Sequence, residues 1–586
     1  MSETAENKDV TTNEPGSTRT LGSALWRFQR GMFPWAYGAL VLIFLGSLLV
    51  RMFPVEGAVA GIAAIPVLVA QSSAAALVIL TVAWFAAFSS CSSRARTAIV
   101  AAILLPVIAL AASVRDIDFT ADMVAVPVFR WQKTQTEVVD EYRKKEAAAP
   151  LASQARQVPA ITPEDMPGYR GTARDGIVTG PRLREDWNTN PPKELWKRPV
   201  GEGYSQFVVV GNFLVTMEQR AEGESTVCYF ADSGHEAWVR TTPALFEEIQ
   251  GGPGPRSTPQ IDGDRVYSLG ATGELACLRL ADGEVIWKQN VLDSTGVHNA
   301  QWGMSSSPLV ADDQLIVNIG GPVGNGLLSF DKMTGEGKWQ TSGVTAKPGE
   351  KVVVAVAARS AEGDEHEVVG QDSALAGYSS PVVAEVGGVR QILNFDGTGL
   401  YGHDLTNGRA LWEYPFRNPA GVNVAQPIVL KDGTILISAS YGLGTMRLRV
   451  TSEGDGEGAK WTVAPVWPKA QDSLKVKMAS NILHDGFVYG LDEGIMVCID
   501  PETGKRKWKG GRYGHGQFLL TNDRLVVLTD TGAVVLVNAS PKKHQEIARF
   551  QALPAEKTWN PLALSRGILY VRNHRWMAAY DVRAAE

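Results

Sequence analysis

The stretch Ala281-Asp-Gly-Glu-Val-Ile-Trp-Lys288 (ADGEVIWK) decides the fold, because the chain repeats it. By itself it is a hairpin signal: Asp-Gly supports a tight turn and the aliphatic run with tryptophan supports a strand. Close copies end at Trp238 (ADSGHEAW), Trp339 (KMTGEGKW), Trp412 (LTNGRALW) and Trp508 (PETGKRKW). In all five, a glycine stands four residues before the tryptophan. Weaker copies end at Trp196, Trp461 and Phe550, which makes eight, at spacings of 42, 49, 52, 73, 49, 47 and 42. Self-similarity at this period is the signature of a repeat architecture.

A second count does not use tryptophan. Tight turns at Gly211-Asn212, Asp262-Gly263, Asp312-Asp313, Gly387-Gly388, Asp432-Gly433, Asp485-Gly486, Asn522-Asp523 and Arg566-Gly567 are each followed by an alternating apolar run. Period-2 alternation bounded by such turns predicts strands. One full unit reads as an inner strand from Thr258, a second at Arg265–Leu269, a third at Glu274–Leu280 and an outer strand at Val285–Asn290 carrying Trp287. Four short antiparallel strands per 40–50 residues is a propeller blade. The expectation is an all-β propeller over residues 166–586 with eight blades; seven blades and one misread copy is the alternative. An orphan outer strand at Leu195-Trp196 and a third strand without a successor at Met577–Asp581 predict that the first strand completes the last blade, leaving no free edge. The spacing of 73 holds an insertion at about 344–373, read as a loop or added hairpin on one face.

Bulk numbers fit this picture. The 586 residues include 59 glycines and 16 tryptophans, and a net charge of −6 gives no basic excess for a nucleic-acid partner. The cysteines Cys91, Cys228, Cys277 and Cys498 form no CxxC pair, so nothing supports a zinc or redox motif. Cys228, Cys277 and Cys498 fall at one repeat position on third strands, as small buried residues would.

The N-terminal part has a different character. Residues 1–30 are polar and read as a disordered cytoplasmic tail. Three charge-free stretches follow, with spans placed at about 31–53, 68–90 and 97–114, so 31–114 reads as a transmembrane module. The middle stretch admits one span or two. Arg19, Arg27 and Arg30 before the first span, with Arg94 and Arg96 after the middle one, favour three spans with the propeller outside the cytoplasm; four spans would place it inside. Residues 115–165 form a linker with a short charged helix at 135–145.

The Asp-x-x-Thr-Gly-x-x-x-Trp pattern resembles the tryptophan-docking repeats of the pyrroloquinoline quinone (PQQ)-like propellers, over about 165–586. That superfamily includes quinoprotein alcohol dehydrogenases and BamB-like outer-membrane assembly factors. The motifs around Arg256, Trp302 to Pro308, Gly377 to Pro381, and Tyr169-Arg-Gly-x-x-Arg174-Asp-Gly resemble a membrane-anchored bacterial branch of it. The resemblance implies an eight-bladed fold and does not by itself imply an activity. A dehydrogenase of this family implies PQQ, a calcium ion on carboxylate and amide oxygens, an aspartate base and commonly a disulfide of neighbouring cysteines. No catalytic or metal-ligating set of that kind is assignable here.

Ligand-binding candidates lie at the mouth of the central channel. A polar residue precedes each inner strand: Gln206, Thr258, Ser307, Ser380, Gln426, Asn481, Gln517 and Asn560. Close to these the copies diverge, giving Tyr204, Arg256, Trp302, Tyr378, Asn481, His515 and Trp559 as candidates. The alternative is that the polar groups only cap strand ends around a water-filled tunnel. Trp196, Trp238, Trp287, Trp339, Trp412, Trp461 and Trp508 are read as structural docking residues between blades. The resulting expectation is a protein-binding scaffold in a bacterial inner membrane, multi-pass, with its propeller on the periplasmic side and envelope proteins as partners. It needs no cofactor. The alternative is a PQQ-dependent alcohol or sugar dehydrogenase.

Overall fold

In the computed structural model the described residues are 92–120, 124–147, 157–248, 250–320, 326–341, 377–418, 420–454 and 456–584, with 72–73, 76–83 and 85. The expected spans at 31–53 and most of 68–90, and the insertion at 344–373, lie outside them. The chain divides into two compact units, residues 1–116 with 122–124, and residues 117–121 with 125–586.

In the first unit, Ser93–Ala112 is a helix of 20 residues, capped by the Ser92 hydroxyl on the Ala95 amide. None of its residues is buried and it carries few charges, so it is long and apolar enough to cross a membrane. It occupies the third expected span and begins four residues earlier, because Arg94 and Arg96 join its first turn.

The second unit contains eight four-stranded antiparallel sheets. In order they are blades 1 (208–242), 2 (260–290), 3 (309–340), 4 (382–415), 5 (428–465), 6 (482–512), 7 (517–551) and 8 (563–581). Blade 8 takes its outer strand from Lys193–Pro199, which pairs with Trp576–Asp581 from Lys193 opposite Asp581 to Pro199 opposite Trp576. The ring therefore closes by the first strand, as the orphan Trp196 copy implied.

The repeated glycine and tryptophan meet across the blade boundary. Each glycine lies under the tryptophan of the preceding blade: Gly234 under Trp196, Gly283 under Trp238, Gly335 under Trp287 and Gly408 under Trp339. Trp196 and Trp238 also donate Nε1–H to the carbonyls of Ala231 and Leu280 on the next blade, at 2.9 and 2.8 Å. Trp508 reaches Ser540 in the same way at 2.8 Å. Trp339 and Trp412 donate instead within their own blades, to the side-chain oxygens of Gln314 and Gln391.

Blade 5 departs from the expected pattern. Trp461 stands over Gly387 of the preceding blade, and its buried Nε1 has no partner. Trp467, six residues later, faces forward over Gly504 and bonds to the Glu502 carbonyl at 3.3 Å. The cause is the length of the third strand, Gly444–Glu453, which carries the turn outward and moves the docking position past Trp461.

The cysteines are explained by the same geometry. Cys228, Cys277 and Cys498 stand opposite Trp238, Trp287 and Trp508 on the neighbouring strand. Ser329, Gly402 and Ala579 hold that place opposite Trp339, Trp412 and Trp196. A small side chain is needed wherever an indole sits across the pair.

Residues 117–147 do more than connect. Helix Gln135–Ala147, where the sequence reads a short charged helix, lies against the closing strand. Gln135 donates to the carbonyls of Val200 and Arg575, both at 2.8 Å, and Arg198 is clamped by Glu146 at 2.7 Å with its guanidinium 4.5 Å from the Tyr142 ring.

Candidate functional site

The central channel is lined by the inner strands, and the polar residues that precede them form a belt joining one blade to the next. The Gln206 amide donates to Thr258 Oγ1 at 3.2 Å, Thr258 to Ser307 Oγ at 3.0 Å, and Ser307 to Ser380 Oγ at 2.9 Å. Gln517 donates its side-chain amide to the Met478 carbonyl and Asn560 to those of Gly203 and Ser205. These bonds tie the ends of neighbouring inner strands together.

Within the belt the channel is crossed by the lead-in segment. Its Met166 pairs with Val209 on the inner strand of blade 1, and its Ile177 with Leu520 on that of blade 7. Between them, Arg170 donates to the carbonyls of Ser480 at 3.2 Å and Asn481 at 2.8 Å on blade 6. Arg174 donates to those of Pro308 at 2.8 Å and Ser307 at 3.1 Å on blade 3. Both arginines are buried and both have left-handed backbones, φ 62° and 58°. A tight loop anchored to blades 1, 3, 6 and 7 is thus a plug. It enters from the inner-hairpin face, where Asp165 holds the Gly211 amide and Arg566.

The opposite mouth carries the sequence candidates in separate groups. Tyr204, Arg256 and Trp559 share one: the Tyr204 and Trp559 rings are 5.6 Å apart and the Arg256 guanidinium lies 5.5 Å from Tyr204 and 4.5 Å from Phe246. Arg256 bonds to the Gly252 and Gly254 carbonyls and to Glu248 at 3.4 Å. Tyr204 donates to the Gly251 carbonyl. Trp302 and Tyr378 form a second group, edge to face at 5.6 Å, with the Trp302 amide on the Tyr378 hydroxyl. His515 lies in a third, in a small depression shared with Lys477, Leu491, Gly494 and Gly514. Burial, reinforced by Lys477, pushes the His515 imidazole down to about 4, so it is neutral at pH 7. Asn481 is turned into its own blade toward Gly490, and its side chain does not join the mouth.

Three residues missed from sequence complete the first group. Lys557, buried, reaches the Gly251 carbonyl at 3.1 Å and sits 5.3 Å from the Trp559 ring. Asp118 comes from before the propeller to bond Arg575 at 3.0 Å and faces Lys557 at 3.6 Å. Burial is the largest single influence and opposes the Asp118 charge, but Lys557, His574, the Phe119 amide and Arg575 together outweigh it and hold the carboxyl below its usual range. No periodicity marks Asp118, since it belongs to no repeat. Nearby Glu202 is raised to about 7, first by burial and then by the carboxylates of Asp118 and Glu247.

PQQ with calcium does not fit these residues. The three described cysteines lie on different blades beneath tryptophans, and none adjoins another. The carboxylates near the mouth are engaged separately: Glu248 by Arg256, Glu224 by Ala271 and Thr272, Asp396 by Thr398 and Gly399, Asp530 by the His515 amide. Among the described residues, the His and carboxylate side chains close enough to share an ion are His484, Asp485 and Asp523, on the inner-hairpin turns of the other face.

Eight blades closed by the strand Lys193–Pro199, with Trp-on-Gly contacts at five of the boundaries, define a propeller of tryptophan-docking repeats. Residues 223–510, from the third strand of blade 1 to blade 6, match the family described as "Outer membrane protein assembly factor BamB". No curated protein sequence matches the chain. Among solved structures it is similar to BamB from Moraxella catarrhalis, at 15% identity and TM-score 0.43, over 67% of this chain and 99% of that one. It is also similar to quinohemoprotein alcohol dehydrogenase from Comamonas testosteroni, at 14% identity and TM-score 0.42, over 73% and 82%. A third is the computationally designed Ika8 protein, at 11% identity and TM-score 0.41, over 67% and 100%.

Proposed function

We propose that the propeller is a binding platform, held at a bacterial inner membrane on the periplasmic side, that contacts another envelope protein during outer-membrane protein assembly. The observation that carries this reading is the state of the channel. Its inner end is plugged by Arg170 and Arg174, and at its mouth Arg256 is paired with Glu248 and Arg575 with Asp118. That leaves a face of aromatic residues, Tyr204, Trp302, Tyr378 and Trp559, around the mouth. The matched family's description supports the assembly role. The apolar helix Ser93–Ala112 supports the anchor, and the charge pattern around 31–53, 68–90 and 97–114 supports three spans.

Photo-crosslinking residues placed on the mouth face, at Tyr378 and at Tyr441, whose ring lies 5.6 Å from Lys477 of the His515 depression, and on the far face, at the exposed Met333 in the turn after Leu327–Asp331, test this in the native envelope. The expected outcome is a discrete adduct with an outer-membrane assembly component from the mouth positions and none from Met333. Self-adducts alone, or equal capture from both faces, would overturn the reading.

A further inference from the structure

The segment between the apolar helix and the propeller is built of two short strands, Val114–Phe119 and Ala125–Phe129, in one two-stranded sheet. Asp118 is turned toward the propeller, where it meets Arg575 and Lys557. Side chains alternate along a strand, so Ile117 and Phe119 point the other way. Ile117 is 55% exposed, Val126 44% and Trp131 66%. The Trp131 ring lies flat on Phe129, with centroids 4.5 Å apart, so it is held out in the open as a fixed plate.

Single exposed apolar residues are ordinary on a protein surface. Three within 15 residues, one of them a tryptophan two-thirds exposed, are not explained by the propeller core. Their position in the chain supplies the explanation. The apolar helix ends at Ala112 and the first strand begins at Val114. From Ala112 to Ile117 the chain can extend at most ~18 Å. The polar headgroup layer on each side of a bilayer is several ångströms thick, and tryptophan is enriched there because its ring is amphipathic.

We infer that Ile117, Val126 and Trp131 form a lipid-contact surface that lies in the headgroup layer of the membrane crossed by Ser93–Ala112. The inference rests on the reading of that helix as a span. Asp118 on the same sheet bonds Arg575 and faces Lys557 at the mouth of the propeller.

Spin labels on the full chain reconstituted in phosphatidylcholine vesicles test it. Single cysteines replace Leu105 in the helix, Ile117, Trp131 and, as a far-face reference, Met333, and each label is read for collision with oxygen and with a water-soluble nickel chelate. Leu105→Cys reports whether the helix is in the bilayer at all. The expected result is oxygen-favoured collision at Leu105, an intermediate depth at Ile117 and Trp131, and full chelate access at Met333. A Leu105 label inside the bilayer with Ile117 and Trp131 labels as chelate-accessible as Met333 would overturn the lipid contact and leave the span standing. Ile117 and Trp131 labels shielded from both collision partners would overturn it in favour of a protein contact. A chelate-accessible Leu105 label would overturn the span and the inference with it.

Discussion

Gly283 lies beneath the indole of Trp238 on the preceding blade, so closely that a Cβ on it would stand 2.5 Å from Cε3. Its φ of 71° adds a second reason for glycine, since side chains rarely adopt that backbone. The contact couples two recurring features of the repeat motif, the glycine of one copy and the tryptophan of the copy before it. Gly263 separates the two effects: it also has a positive φ, 57°, but a Cβ there would meet nothing within 4 Å. Gly263→Ala should cost about 1 kcal/mol, the backbone term alone. Gly283→Ala should cost about 2–4 kcal/mol, because overpacking the indole is added. Urea denaturation of the two variants measures the difference, and equal losses would remove the packing argument.

Much of the wheel was legible because its defining contacts repeat. Glycine four before tryptophan, a turn before every second strand, and an unmatched strand at each end were enough for eight blades and their closure. The plug was not legible in that way. Arg170 bonds to a carbonyl 311 positions later in the chain, and a contact made once leaves no period to find. The motif around Arg170 and Arg174 was visible only as a lead-in, and Asp118 carried no signal at all. The mouth candidates were found by looking for divergence among copies, which marks position and not contact. Asn481 shows the limit: it sits at the right repeat position, with its side chain turned into the blade.

Blade 5 gives a direct test of which tryptophan docks. Trp467 is buried and bonded to the next blade, whereas Trp461 is half-buried with an unpartnered Nε1. Trp467→Ala should cost roughly 3–5 kcal/mol, the range for a buried tryptophan. Trp461→Ala should cost less than half as much. Thermal melts of the two variants decide it; the opposite order would mean that the copy ending at Trp461 is the true dock.

The plug should be held chiefly by its arginines. Arg174→Met keeps an unbranched apolar stem but removes the guanidinium and leaves the carbonyls of Ser307 and Pro308 without donors in a buried site, which should cost about 2–4 kcal/mol. Arg174→Lys should recover part of that, since a single ammonium lacks the guanidinium fork. Loosening should be local first, so limited proteolysis between Met166 and Ile177 should quicken in Arg174→Met before the propeller melts. Unchanged cleavage there would show that Arg174 does not secure the plug.

His403 ties stability to acid. It is fully buried on the third strand of blade 4, its Nδ1–H donates to the Gly408 carbonyl at 3.1 Å, and burial pushes the imidazole down to about 4. In the unfolded chain the ring takes a proton below about 6.5. The folded state refuses that proton, so the contribution of His403 is fully present above 6.5 and is lost as pH falls toward 4, by about 3 kcal/mol. Glu202 runs the other way: with its carboxyl raised to about 7, its contribution is present below its unfolded value near 4.5 and lost as pH rises through 7. His403→Gln keeps a donor for Gly408 and removes the titration. Its stability measured by urea at pH 7, 5.5 and 4 should therefore fall less steeply than that of the unaltered protein. Glu202→Gln should leave that acid limb alone and flatten the loss between pH 5 and 8. If His403→Gln follows the same acid slope as the parent, the buried imidazole does not set it.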